Sequence, residues 1–124
     1  MKKSFQAFLY ALNGFVILVK TERNFRIAVI CGVLAILTGI ALDFVGEHLF
    51  RLEWALIFLA IGLVLTSEAL NSALEKALDL LYPDRHPMVG MSKDMAAGAT
   101  LVASTIALLI GGFVLLPHIL SAIS

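Results

Sequence analysis

Charge is scarce in this chain. Only 15% of its 124 residues are Asp, Glu, Lys or Arg, against about 25% in an ordinary soluble domain. Hydrophobic residues make up 60% and the mean hydropathy is +0.99. A chain this short cannot bury so much apolar surface in one core, because small folds leave a large share of their area exposed. A soluble globular protein and a disordered chain are therefore excluded. The nine basic and nine acidic residues cancel, so there is no excess of positive charge to attract nucleic acid. With a single cysteine, Cys31, neither a disulfide framework nor a thiolate metal cluster can form. Repeats, low-complexity tracts and a soluble appendage are absent too. What remains is an integral membrane protein of one domain.

The gaps between charges locate the helices. Residues 27–42, 54–67 and 95–124 carry no Asp, Glu, Lys or Arg, and a helix needs about 20 apolar residues to cross a hydrocarbon core of about 30 Å. These gaps predict three spans, over 25–45, 54–81 and 93–120. A fourth helix is expected over 4–20. Phe5, Phe8, Leu9, Leu12, Phe15, Val16 and Val19 repeat on one face of it, and Ser4, Gln6 and Asn13 lie away from them, which suits an amphipathic helix lying in the membrane surface. A signal peptide fits less well, because no small-residue cleavage site follows and Thr21 to Asn24 is polar and charged. Lys and Arg set the orientation. Eight of the nine fall before the first span or around the connection between the second and third; only Arg51 lies on the other side. The N-terminus is expected in the cytoplasm and the C-terminus outside.

The second gap is too short to span alone. To cross, its helix must draw Glu68, and with it Asn71 and Ser72, into the bilayer. At 1.5 Å per residue Glu68 lies roughly 21 Å from Trp54, within the core, and Glu75 roughly 31 Å, at its boundary. Glu68, Ser72, Glu75 and Asp79 share one edge of this helix, with Asn71 beside them. An ionisable group inside a span is costly and marks a functional site by default. Glu22 before the first span and Lys93-Asp94 at the start of the third belong to the same cytoplasmic depth. Carboxylates of Glu22, Glu75 and Asp94 converging there would repel each other unless a cation intervened, and hard oxygen donors beside phosphate suit Mg²⁺. Lys93 and Arg85 are candidates to hold phosphate oxygens. Glu68, below the headgroups, could take the proton of a lipid hydroxyl as general base. The layout suits transfer of a phosphoryl group from a soluble donor to a lipid alcohol. Tyr10 could reach the nucleotide from the surface helix, or anchor that helix at the interface.

The run Glu68-Ala-Leu-Asn-Ser-Ala-Leu-Glu75-Lys-Ala-Leu-Asp79 resembles the signature of the small prokaryotic diacylglycerol and undecaprenol kinases. Glu22-Arg-Asn-Phe-Arg26 and Lys93-Asp94-Met-Ala-Ala-Gly-Ala resemble two further blocks of that family. The resemblance implies an ATP-dependent, Mg²⁺-requiring lipid kinase, a homotrimeric helix bundle with active sites shared between neighbours. It implies Glu68 as general base and Glu22 and Glu75 as holders of Mg²⁺ with ATP. Asn71, Lys93 and Asp94 would complete the site, Asp84, Arg85 and His86 would lie near the nucleotide, Asn24 and Arg26 would support the first block, and Asp79 would close the signature. The sequence departs from the pattern at Leu74, where Ile is common, and at Gly90 and Met91, where a second basic residue is frequent. Neither GxxxxGK followed by Ser or Thr nor the HRD and DFG motifs of protein kinases occur, so no soluble kinase module is present.

Two acceptors fit. The Arg51-Leu-Glu-Trp54 start of the second span and Ala60-Ile-Gly-Leu-Val-Leu65 look more like the undecaprenol kinases, which favours undecaprenol over diacylglycerol. A different class also fits one feature: a small oligomeric transporter could use Glu68 as its coupling acid. Such a transporter has no need of Glu22, Glu75 and Asp94 at the surface. Trp54 is expected to anchor the interface, Lys76 to be a solvated helix end, and His48 and His118 to be exposed on the outer side.

Overall fold

The structure, a computed structural model, describes residues 2–84 and 86–124. Four helices follow one another: α1 (Lys2–Thr21), α2 (Arg23–Phe44), α3 (Arg51–Leu81) and α4 (Pro87–Ile123). No strand occurs among the described residues. All four are long and apolar enough to cross a membrane. At 1.5 Å per residue α3 is about 46 Å long and α4 about 55 Å, each well beyond a ~30 Å hydrocarbon core. Both therefore carry polar turns out of the lipid, with Glu75, Lys76 and Asp79 on α3 and Lys93 and Asp94 on α4 among them.

Local sequence sets where each helix starts and stops. Between α1 and α2 stands one residue, Glu22, with extended backbone (φ −100°, ψ 112°). Its N–H still reaches Leu18 O at 2.9 Å and its C=O accepts from Arg26 N at 3.2 Å, so the chain kinks without losing its ladder. The Arg26 guanidinium donates to Val19 O and Lys20 O at 3.2 and 3.0 Å, closing carbonyls that the end of α1 leaves open. After α2, Gly46 takes φ 91°, a conformation glycine adopts without steric cost and a usual helix exit. Glu53 reaches back from the first turn of α3 to the Phe50 N–H at 2.7 Å, half of a capping box. Leu81 ends α3 just before Pro83. α4 extends beyond the expected 93–120 at its N-terminal end because Pro87 stands at its first turn, where a missing N–H costs nothing, and the His86 ring accepts from Met88 N at 3.2 Å.

The most extensive pairing is between α3 and α4; α2 packs on both, and α1 on α2. The buried core lies toward the α2–α3 connection, where Leu42, Leu49, Ile57 and Val114 meet, ringed by Trp54, Ile61, Ile110 and Ile119. Two glycines of α2 allow the close approach. A Cβ on Gly32 would stand 3.0 Å from Ile61, and one on Gly39 only 2.7 Å from the Trp54 ring. Trp54 thus packs against α2 and is stacked on Phe58 at 5.9 Å. α1 has no buried residue among those whose side chains are described; its Phe15 meets Phe25 edge-on at 5.5 Å.

Candidate functional site

Along the C-terminal half of α3, burial falls as the helix rises out of the core. Glu68 is 8% exposed and Ser72 5%; Asn71 and Glu75 are half-buried, and Asp79 is exposed. A helical edge of this spacing puts one carboxylate deep and two progressively nearer water. No described side chain donates a hydrogen bond to Glu68. The buried Asn71 Oδ1 is likewise without a partner. Buried polar atoms are nearly always satisfied, so an oxygen left open between Glu68 and Glu75 is what a site for a cation or a donor group requires.

Glu68 lines a groove of about 470 Å³ between α2, α3 and α4. Asn24 shares the polar end. The remaining wall is apolar or small, including Cys31, Gly32, Ala107 and Gly111. It runs from Asn24 to Ala35 on α2 and from Glu68 to Ile57 on α3, about 16 Å of helix, so a buried acid stands at one end of an apolar trough.

Above it, ion pairs tie the helix ends together. Lys76 Nζ lies 2.9 Å from Glu22 Oε1, and Thr21 Oγ1 donates to the same oxygen at 2.7 Å. The Lys76 ammonium, and then the Thr21 hydroxyl, hold the Glu22 carboxyl below the usual carboxylate range. Lys93 Nζ pairs with Asp79 across the α3–α4 connection. Lys76 is exposed, as its place at the helix end suggested, and paired as well. A second cavity, about 420 Å³, is lined by Asp79, Tyr82, Asp84, His86, Gly90 and Lys93 among others; of the residues expected near a nucleotide it gathers Asp84, His86 and Lys93 but not Tyr10, Glu22, Glu75 or Asp94, and Arg85 lies outside the described residues. Asp94 and Tyr10 are exposed.

The expected carboxylates do not converge within one chain: no group of three or more His, Cys, Asp or Glu able to hold a metal forms among the described residues. Glu22 is joined to Lys76, not to Glu75 or Asp94. Sequence reasoning also passed over a polar cluster at the C-terminal end of α4. His118, expected to be exposed, is only 15% so; its ring sits between Glu47 and Glu53, and Ser121 donates to Glu47 at 2.7 Å. The isolated polar letters His118 and Ser121 near the end of an apolar helix were the available signal.

Comparison with known proteins adds to this geometry. The family model for prokaryotic diacylglycerol kinase matches residues 9–115. An undecaprenol kinase of Bacillus subtilis is 33% identical over 119 residues, covering 96% of this chain and 93% of its own length. A diacylglycerol kinase of Synechocystis is 40% identical over 116 residues, 93% of this chain and 63% of the relative. One of Pseudomonas aeruginosa is 35% identical over 106 residues, 86% of this chain and 82% of the relative. No solved structure gives a significant match.

Proposed function

The chain belongs to the prokaryotic diacylglycerol kinase family, a membrane lipid kinase, and from that premise we propose that it transfers the γ-phosphoryl group of ATP to undecaprenol. The observation that carries the reading is a buried carboxylate, Glu68, at the polar end of an apolar groove inside a span. Undecaprenol is favoured over diacylglycerol by the sequence around Trp54 and by a match to an undecaprenol kinase along nearly the full length of both chains. The transporter alternative finds no support: the family and the relatives are kinases.

Glu68 takes the proton of the acceptor hydroxyl as its oxygen bonds to the γ-phosphorus; the bond to the bridging oxygen breaks and ADP leaves. Positioning and charge neutralisation do most of the work in such transfers. The groove orients the alcohol with its tail in lipid, and its apolar wall keeps water from competing for the phosphoryl group. Lys93, Asp84 and His86 bind the nucleotide at the second cavity, and Arg85, Asp94 and Tyr10 are further candidates to contact it. Asn71 and Asp79 support the α3 edge, and Asn24 and Arg26 the α1–α2 joint.

The donor set fits Mg²⁺. Glu22 and Glu75 offer hard oxygens, Asn71 on α3 has a buried Oδ1 without a partner, and Mg²⁺ binds through one or two carboxylates plus phosphate. Glu22 and Glu75 would hold it, and when bound it would neutralise charge on the phosphates. The carboxylates' failure to converge within one chain supports a homotrimer whose neighbours complete each site. α1 lies in the membrane surface, the N-terminus is cytoplasmic and the C-terminus external. The test is a side-by-side assay of lipid-dependent ADP release with undecaprenol and diacylglycerol in mixed micelles. Faster turnover on undecaprenol supports the assignment; turnover on diacylglycerol alone overturns it.

A further inference from the structure

Glu22 is the N-cap of α2, yet its side chain makes no capping bond. An acid at this position ordinarily accepts from the N–H groups of the first turn. Here the carboxylate is turned across to α3 instead, onto Lys76 at 2.9 Å, and braced by Thr21 Oγ1 at 2.7 Å. The two partners differ in freedom. The Glu22 side chain is 19% exposed and Lys76 60%, so the carboxylate is fixed while the ammonium sits on a flexible stem in water. Lys93 is itself held by Asp79. Glu22 thus has a replaceable cation on a carboxylate that is otherwise built in.

We propose that Lys76 is a resident counter-ion for Glu22, holding that carboxylate in place in the nucleotide-free protein and yielding it to the divalent cation that arrives with the nucleotide. The inference rests on the reading of Glu22 as a metal-holding residue. Its physical basis is simple. Mg²⁺ approaches a carboxylate oxygen to about 2.0–2.1 Å, and an ammonium cannot stay on the same oxygen without two like charges standing within a few ångströms. Lys76 therefore sets a threshold for cation binding and keeps the α1–α2 joint docked on α3 while the site waits. It is a positioning residue and touches no reacting atom.

The test uses the detergent-solubilised full chain with Mn²⁺ alone, its binding read by the loss of the free-ion paramagnetic resonance signal, with no nucleotide or lipid present. Lys76→Met should bind Mn²⁺ about two- to fivefold tighter, the fold-change expected for release of an exposed ion pair. Lys76→Arg, which keeps the charge, should stay near wild type. In a Glu22→Gln background the Lys76→Met effect should vanish. Unchanged or weaker Mn²⁺ binding in Lys76→Met, with wild type still binding through Glu22, overturns the counter-ion role and leaves the metal reading standing. Wild-type binding that Glu22→Gln does not weaken, or no binding at all, overturns the metal reading and the inference with it.

Discussion

His118 Nε2 lies 3.1 Å from Glu53 Oε1, joining the C-terminal end of α4 to the first turn of α3. The other ring nitrogen faces Glu47 Oε2 at 3.4 Å, so one imidazole ties two helices and the α2–α3 loop. Removing it leaves two carboxylates side by side with no cation between them, and like charges that close are destabilising. We predict that His118→Ala lowers the melting temperature in detergent while the KM for ATP is unchanged, since the cluster lies at the opposite end of α3 from Glu75. A changed KM with an unchanged melting temperature would contradict this.

Gly39 is predicted to be intolerant of side chains. A Cβ there meets the Trp54 ring at 2.7 Å, and overpacking of this kind costs about 1–3 kcal/mol. Gly39→Val should lower the melting temperature and leave the ratio of undecaprenol to diacylglycerol turnover as it was. Gly62, where a Cβ meets nothing within 4 Å, is the control; equal losses at the two positions would mean that Trp54 does not pack there.

The Glu22–Lys76 pair predicts an acid limit. A carboxyl held below its usual range in the folded protein contributes stability that is present above its ordinary value near 4.5. That contribution disappears as pH falls through the lowered value, where the carboxylate takes up its proton. Melting temperatures measured from neutral pH downward should fall over that acid range, and Glu22→Gln should flatten the fall. An identical pH profile in the variant would rule the pair out as a contributor.

Glu75→Gln is predicted to raise the Mg²⁺ concentration needed for half-maximal turnover while leaving saturating turnover closer to wild type than Glu68→Gln does. A titration of Mg²⁺ at fixed ATP checks this; an unshifted midpoint would remove Glu75 from the metal-holding pair.

The helical class was legible because charges are expensive in lipid and their gaps mark the helices. Glu68 was legible for the same reason: no run of this length could avoid it. The pairings were not. Which face of α3 meets α4 depends on rotation about each axis, and hydropathy cannot fix it where both lipid-facing and buried sides are apolar. His118 therefore read as exposed, and the partner of Lys76 went unseen. The start of α4 was hidden because its first turns, opening at Pro87, precede the uncharged run that marks the span.

The most direct measurement of the central claim is the kcat of Glu68→Gln for lipid-dependent ADP release at saturating ATP, Mg²⁺ and undecaprenol. Loss of a general base predicts a fall of about 10²- to 10⁴-fold, with nucleotide affinity preserved and partial recovery in Glu68→Asp. A Glu68→Gln variant that turns over at the wild-type rate would contradict the account.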